Sequence, residues 1–325
     1  MRAVLARAFA PLEELALEEV PAPSPGAGQV VIAVRACGVN FLDGLIVQGK
    51  YQTRPPLPFS PGAEVAGVVS AVGAGVTGVS AGERVLAVPG YGGYAEQALA
   101  EAASLIRLPA AMDFTTAACF PVVYGTSLHA LRTRARLEAG ESLLVLGAAG
   151  GVGLTAIEIG RLLGARVLAA ASSAEKLALC RERGADELIN YAAGDLREQV
   201  KALTGGKGVD VVYDPVGGAY AEPAVRSLAS GGRYLVIGFA SGDIPRVPLN
   251  LLLLKQAAML GVFWGAWARA HPAANAADFA QLFAWHAAGR LRPHVSARFP
   301  LERFREALNT VVERRAQGKV ALVMG

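Results

Sequence analysis

The chain has 325 residues, which is enough for two domains that each bury a core. Hydrophobic residues make up 53% and charged residues 18%, a balance that is typical of a compact α/β protein and argues against disorder. The 31 basic and 27 acidic residues are scattered, so the net charge of +4 forms no basic patch and argues against a nucleic-acid-binding protein.

Residues 1 to about 122 are predicted to be rich in β-strands. Apolar, β-branched runs at 29–36, 64–72 and 83–88 alternate with glycine- and proline-rich turns. Short strands at this spacing predict a small, partly open barrel.

The pattern changes at about residue 123 and alternates between strand and helix up to residue 261. Helices such as 174–183 lie between the predicted strands. Strands are predicted at 143–147, 166–171, 187–190, 209–213 and 233–238. This alternation predicts a doubly wound parallel sheet.

Residues 262–325 are predicted to be mainly helical, at 277–288 and 301–316, and to end in a strand at 319–324. That last strand has no predicted neighbour in the parallel sheet. We therefore expect the tail to return to the first domain, which makes the parallel-sheet domain an insertion.

The most informative stretch is 143–171, in which an apolar run enters a glycine-rich turn that is followed by a helix and a second apolar run. Ala148, Gly150 and Gly153 occupy the three positions of the dinucleotide pattern G-x-G-x-x-G, with alanine at the first. Gly150 lets the backbone approach a pyrophosphate, and the first helical amides favour its charge. A turn that binds nothing would need fewer glycines, and no Lys-Ser/Thr follows to make a P-loop.

The residues after the second strand favour NADPH over NADH. An NAD-preferring site has Asp or Glu there, about 20 residues past the glycines. Here Ser172 and Ser173 follow the strand, Lys176 lies one helical turn on, and the first carboxylate, Glu175, falls within the helix. Two hydroxyls and a cation suit a 2′-phosphate, although a serine N-cap and a surface lysine would give the same pattern. Tyr191 is expected as a wall of this pocket or as a half-buried strand-end residue.

Several motifs follow the β-rich first domain in a fixed order: GAAGGVG, SSAEKLALCRERGAD, VDVVYDPVGG and a terminal GKVALV. Together they resemble the medium-chain dehydrogenase/reductase superfamily over essentially the whole chain. Within it, CGVNFLDGLIVQGKY resembles the zinc-independent quinone oxidoreductase branch. The resemblance implies a GroES-like partial barrel with an inserted Rossmann sheet. It also implies a homodimer formed through an apolar edge strand near 257–262.

A metal site is not expected. Zinc members of the superfamily carry a Cys three residues before an Asp, then a G-H-E motif, then a further thiolate ligand. Here Asn40 precedes Asp43 and Ala63 replaces the histidine, so two of the three ligands are absent. Cys37 and Cys119 are better interpreted as small buried hydrophobes.

The reaction implied by the resemblance is NADPH-dependent reduction of a quinone or a related conjugated carbonyl, since an electrophilic acceptor needs no Lewis acid. Asn40 is expected to donate to the acceptor oxygen, Asp43 to orient hydrogen bonds, and Tyr51 to stack or donate a proton. An Asx turn and a packing role are the alternatives for these three, and Glu64 is expected to be structural. The expected cofactor-binding residues are Thr126, Ala148, Gly150, Gly151, Val152, Gly153, Ser172, Ser173, Lys176, Tyr191, Val216, Gly238, Phe239, Phe263, Trp264 and Lys319.

Two other functions stay open at this point. An enoyl-CoA, acryloyl-CoA or enone reductase would use the same fold and cofactor, although the sequence has no obvious basic groove for the CoA phosphates. A non-catalytic NADPH-binding protein also stays open because no irreplaceable acid–base residue is visible. The rings of Phe239, Phe263 and Trp264 would suit a core equally well, and Lys319 would suit solvent.

The three cysteines, Cys37, Cys119 and Cys180, are odd in number and form no C-x-x-C pair, which predicts a reducing compartment without disulfides. The first residues lack the unbroken apolar core of a signal peptide. The apolar stretch 248–268 is interrupted by Lys255 and Gln256 and is too short to span a bilayer. A cytoplasmic protein with a small-molecule acceptor is therefore expected.

Overall fold

The computed structural model describes residues 1–325, which fold into two compact units. Unit 1 contains Met1–Val122 and Pro293–Gly325, and unit 2 contains Val123–Arg292. The first boundary lies where the sequence pattern changes. The chain returns to unit 1 at Pro293 and not at 262, which corrects the predicted second boundary.

The strands and helices are numbered in chain order. The strands are β1 Arg2–Leu5, β2 Ala16–Glu19, β3 Gln29–Val39, β4 Glu64–Val72, β5 Arg84–Ala87, β6 Gln97–Glu101, β7 Ile106–Arg107, β8 Ser142–Val145, β9 Arg166–Ala171, β10 Glu187–Asn190, β11 Val209–Asp214, β12 Leu228–Val236, β13 Ala258–Gly261, β14 Val295–Pro300 and β15 Lys319–Val323. The helices are α1 Phe41–Val47, α2 Phe114–Ala118, α3 Pro121–Leu128, α4 Gly151–Leu162, α5 Ala174–Glu182, α6 Leu196–Leu203, α7 Ala221–Arg226, α8 Asn250–Lys255, α9 Trp264–Ala270, α10 Pro272–Ala287 and α11 Phe304–Val312. None of the helices is long and apolar enough to cross a membrane.

Unit 2 is built on a six-stranded sheet in the order β10-β9-β8-β11-β12-β13, and every pairing in it is parallel. The strand order runs outward in both directions from β8, which is the doubly wound arrangement that the alternating pattern predicts. The central strands are almost entirely buried because helices cover both faces of such a sheet. The fold class expected from the sequence is therefore confirmed.

Unit 1 contains a seven-stranded sheet in the order β14-β15-β3-β4-β5-β7, with β6 also pairing with β3. The long strand β3 pairs antiparallel with β4, β6 and β15, and its pairing with β4 shifts register twice. Such irregularities bend a strand, which lets one sheet curve around a single core. The C-terminal strand β15 therefore completes the sheet begun by the first part of the chain.

The segment 262–292 belongs to unit 2 because its helices pack on α3. A Cβ on Gly125 would lie 2.6 Å from the ring of Trp264, so the missing side chain lets the indole approach. The Trp264 indole nitrogen donates to Asn275 Oδ1 at 3.1 Å, and Arg132 pairs with the buried Asp278. The contacts of Gly125 with Trp264 and of Arg132 with Asp278 join residues far apart in sequence, which is why composition alone misplaced the boundary.

Candidate functional site

The glycine-rich turn between β8 and α4 has the geometry of an open anion site. Gly150 stands at the N-cap of α4, where no side chain caps the helix, and its amide donates to Gly147 O at 2.9 Å. The first amides of the helix have no intrahelical acceptor, so they point outward with the positive end of the helix dipole. A Cβ on Gly153 would lie 2.5 Å from Gly147 O, which explains glycine at that position by close packing.

The other residues predicted to bind a cofactor in unit 2 share one position in the fold. Apart from Thr126 on α3, each of them follows the carboxyl end of one of the six parallel strands. These ends lie at one edge of the sheet, where open α/β folds bind their ligands. The groups are Gly150, Gly151, Val152 and Gly153 after β8, Ser172, Ser173 and Lys176 after β9, Tyr191 after β10, Val216 after β11, Gly238 and Phe239 after β12, and Phe263 and Trp264 after β13.

For the residues after β9, the sequence left open a 2′-phosphate site or a serine N-cap with a surface lysine. Ser173 caps α5, and its hydroxyl accepts from the Lys176 amide at 3.3 Å. Ser172 is exposed beside it, and Lys176 is half-buried. The Tyr191 ring packs against Tyr220 with centroids 4.5 Å apart. The cap uses the Ser173 hydroxyl and the Lys176 amide, so the serine N-cap that the sequence left open is present beside the exposed Ser172.

The residues after β13 differ from one another. Phe263 is 46% exposed, whereas Trp264 is 7% exposed and lies against Gly125. The indole of Trp264 is thus part of the core of unit 2, so only its backbone is left for a ligand. Thr126, on the same helix as Gly125, is half-buried.

In unit 1, a buried ion pair joins β4 to β15. The Lys319 ammonium is 2.9 Å from Glu64 Oε1 and donates to Val39 O at 2.8 Å and Asn40 Oδ1 at 2.6 Å. Burial opposes the charged ammonium, but the adjacent Glu64 carboxylate raises the pKa of Lys319 above its ordinary value. All three N–H donors of Lys319 are used inside unit 1. The expectation that Lys319 binds cofactor phosphates is therefore corrected.

The Asn40 side chain belongs to the same network. Its amide nitrogen donates to Gly38 O at 3.2 Å and to Glu64 Oε1 at 2.9 Å, while its oxygen accepts from Lys319. Both amide hydrogens are used, so none is left for an acceptor oxygen. The expected donor role of Asn40 is corrected to a positioning role.

Asp43 is completely buried and holds three donors. It accepts from the Asn40 amide at 2.9 Å, the Ala63 amide at 3.1 Å and the Tyr94 hydroxyl at 3.1 Å. Burial raises the pKa of Asp43 from 3.8 to about 7. Asp43 therefore anchors the start of α1. Asn40, Asp43 and Tyr51 were expected at the acceptor, and of these only Tyr51 is half-buried, whereas the other two are buried.

The residues of unit 1 do not fit a zinc ion. The Lys319 ammonium and the Asn40 amide both contact Glu64. A positively charged ammonium therefore occupies the place beside this carboxylate where a zinc ion would have to bind. Cys37 and Cys119 are fully buried, and burial raises the pKa of Cys119 to about 12 and that of Cys37 well above its ordinary range. No group of three or more His, Cys, Asp or Glu side chains is placed to hold a metal.

Sequence reasoning missed the partners of the buried carboxylates. Tyr94 on Asp43, Lys319 on Glu64 and Tyr234 on Asp214 lie far apart in sequence. The role of Asp214 could have been predicted from the sequence, because this carboxylate ends the apolar run VDVVYD just before the turn PVGG. A charged residue at the end of a buried strand needs donors, and the turn that follows supplies them.

Two glycines of the turn are expected to respond differently to alanine. Gly153→Ala places a Cβ against the backbone oxygens of Gly147 and Ala148 and should destabilise the fold by about 1–3 kcal/mol. Gly150→Ala meets only Gly147 O at 3.2 Å and should fold normally. Its Cβ would nevertheless obstruct the pyrophosphate, so NADPH should bind at least about tenfold more weakly. Thermal unfolding and fluorescence titration test this pair, and wild-type NADPH affinity in Gly150→Ala would contradict it.

The buried Asp43 carboxyl is expected to make stability depend on pH. The folded state holds this proton more tightly, so Asp43 favours folding below its ordinary pKa of 3.8, and that contribution is lost as the pH rises through about 7. Across this window the free energy of unfolding should fall relative to Asp43→Asn by up to about 1.4 kcal/mol per pH unit. Urea unfolding of both proteins measures the difference, and a difference that does not change with pH would overturn the expectation.

Comparison with known families divides the chain in the same way as the fold. The family described as "Alcohol dehydrogenase GroES-like domain" matches residues 26–110, and the family described as "Zinc-binding dehydrogenase" matches residues 151–282. Both matches lie within the units described above.

Individual relatives match over almost their whole length. Quinone oxidoreductase-like protein 2 of Rattus norvegicus is 41% identical over 312 residues, which cover 95% of this chain and 89% of that protein. The quinone oxidoreductase of Homo sapiens is 34% identical over 327 residues, with coverage of 100% and 98%. The structure of Escherichia coli quinone oxidoreductase complexed with NADPH superimposes with a TM-score of 0.92 at 30% identity, covering 99% of this chain and 100% of that one. The chain belongs to the medium-chain dehydrogenase/reductase superfamily, on its quinone oxidoreductase branch.

Proposed function

We propose that this protein catalyses the NADPH-dependent, zinc-independent two-electron reduction of a quinone or a related conjugated carbonyl. The observation that carries the proposal is the uncapped glycine turn at Gly150, which lies at the same sheet edge as Ser172, Ser173 and Lys176. The NADPH complex of the Escherichia coli relative and the names of the mammalian relatives support the cofactor and the acceptor class.

The proposed cofactor site assigns tasks to the loops after β8, β9, β11 and β12 and to Thr126 on α3. The amides of Gly151 and Val152 take the pyrophosphate, and Ser172 with Lys176 takes the 2′-phosphate. The loops with Val216, Gly238 and Phe239 take the nicotinamide carboxamide, and Thr126 takes the adjoining ribose. Ala148 is fully buried and donates to Ala170 O at 3.0 Å, so it shapes the turn without reaching the ligand.

When bound, the nicotinamide would supply the hydride, and the protein would provide orientation and a proton. Reduction of a quinone to a hydroquinone takes one hydride and one proton, and the proton is added to an oxygen of the acceptor. We assign the contact with the acceptor oxygen to Tyr51, whose segment follows α1. Asn40 and Asp43 hold the start of that helix, so they position Tyr51 and are not assigned chemistry.

We further propose a homodimer that forms through β13. This strand is the last of the sheet and pairs only with β12, so its other edge is open to pairing with a further strand. The preceding segment exposes Leu249, Leu253 and Leu254 by 75–78%. Light scattering should give twice the chain mass of 33.6 kDa, and the mass of a single chain would refute the dimer.

Steady-state assays test the function and the cofactor preference together. With NADPH, the protein should reduce small quinones faster than enones or enoyl-CoA esters. NADPH should bind at least about tenfold better than NADH, and Lys176→Ala should remove most of that preference. Preferential turnover of enoyl-CoA would replace the quinone assignment with an enoyl reductase, and NADPH binding without turnover of any acceptor would make it a binding protein.

Tyr51→Phe is expected to impair turnover while sparing NADPH affinity. Loss of one hydrogen bond to the acceptor should cost about 1–3 kcal/mol, or roughly 5- to 150-fold in kcat/KM with a small quinone. Tyr91→Phe is the matched control, because Tyr91 is a surface tyrosine of the same unit. Equal kcat/KM values for the two variants would remove Tyr51 from the acceptor site.

A further inference from the structure

The loops that follow β11 and β12 are tied together by backbone hydrogen bonds. Ala240 N donates to Pro215 O at 3.0 Å, Ser241 N donates to Val216 O at 2.9 Å, and Gly218 N donates to Asp243 O at 3.2 Å. These two loops, 215–218 and 237–243, therefore have a single joint conformation.

Glycine at position 217 makes this joint conformation possible. Gly217 has a φ of +66°, which an L side chain rarely adopts, and a Cβ there would lie 2.9 Å from Phe239 Cδ1. The backbone of the first loop thus lies directly against a side chain of the second.

Asp214 is the buried residue that holds both loops. Its Oδ1 accepts from Val216 N at 2.6 Å and from Gly217 N at 2.9 Å, so its side chain fixes the first loop. Its backbone oxygen accepts from Ile237 N at 3.0 Å and from Gly238 N at 3.4 Å, so its main chain fixes the second. The side chain is 2% exposed, which leaves it no access to a ligand.

Tyr234, on β12, completes the anchor by donating its hydroxyl to Asp214 Oδ2. A carboxylate can accept from several donors at once and has no hydrogen of its own, so it suits two backbone amides and a phenol. Burial raises the pKa of Asp214, while these three donors oppose that rise.

We propose that Asp214 and Tyr234 are positioning residues that orient the nicotinamide end of NADPH. This rests on the proposed function, which assigns the carboxamide to Val216, Gly238 and Phe239. Backbone groups select one ligand orientation only when their loop has one conformation. The residues proposed for the 2′-phosphate follow β9, which β8 separates from β11, so the adenosine end of the cofactor does not reach the loops that Asp214 and Tyr234 hold.

The experiment compares two ligands that share the adenosine end. NADPH reaches both sites, whereas adenosine 2′,5′-bisphosphate carries only the 2′-phosphate and one phosphate of the pyrophosphate, so it reaches the residues after β9 and the glycine turn after β8 but not the loops after β11 and β12. Tyr234→Phe and Asp214→Ala should weaken NADPH binding by roughly tenfold and leave the bisphosphate affinity unchanged. Asp214→Asn keeps an oxygen for Val216 N and Gly217 N and should restore most of the NADPH affinity.

Tyr213→Phe is the matched control for Tyr234→Phe. Tyr213 precedes Asp214, is fully buried and bonds to Ser127 Oγ at 2.9 Å, so its loss removes a buried hydroxyl without touching either loop. A general loss of stability would weaken the binding of both ligands in all of these variants.

The outcomes separate this inference from the proposed function. If Tyr234→Phe and Asp214→Ala keep the wild-type ratio of the two affinities, or lose affinity for both ligands alike, the positioning role is wrong. If the ratio falls but no acceptor is reduced, the positioning role stands and the proposed reaction is wrong. A wild-type protein that does not bind NADPH overturns both.

Discussion

The parallel pairing of six strands in unit 2 is the constraint on which the candidate cofactor site depends. Each crossover returns the chain to the same end of the sheet, so the residue after every strand arrives at one edge. Gly147 and Val216 lie 69 positions apart, yet a Cβ on Gly147 would lie 2.8 Å from Val216 Cγ2. Residues with no local relation are therefore assembled into one site by the sheet alone.

A single structural device recurs in both units. Asp43 and Asp214 are each buried, and each accepts from two backbone amides and one tyrosine hydroxyl. Removing water raises the pKa of both carboxyls, and the donors limit the cost of burial. Each carboxyl fixes a short segment that follows a strand. Neither needs to contact a ligand, since its effect is exerted through the backbone that it holds.

The buried pair of Lys319 and Glu64 shows how unit 1 closes. Removing one partner of such a pair leaves an unpaired buried charge, at a cost of about 3–5 kcal/mol. Lys319 begins β15, whereas Glu64 begins β4 and Asn40 precedes α1. The pair thus ties the last strand of the chain to two early elements, and it uses the polar groups that sequence reasoning had assigned to the acceptor and the cofactor.

The local patterns of the sequence determined the strand–helix alternation, the glycine turn at Gly150 and the serines in place of an acidic residue after β9, because each depends on residues close together in the chain. They did not determine the partners of Asn40, Lys319 and Trp264. The amide of Asn40, the ammonium on the apolar stem of Lys319 and the indole of Trp264 each suit several environments, and the environment depends on which distant element packs against them. The sequence alone thus established the family pattern and its cofactor-type turn. Only the tertiary structure decided which polar groups are already satisfied by the protein, because their partners come from elements that are distant in the chain.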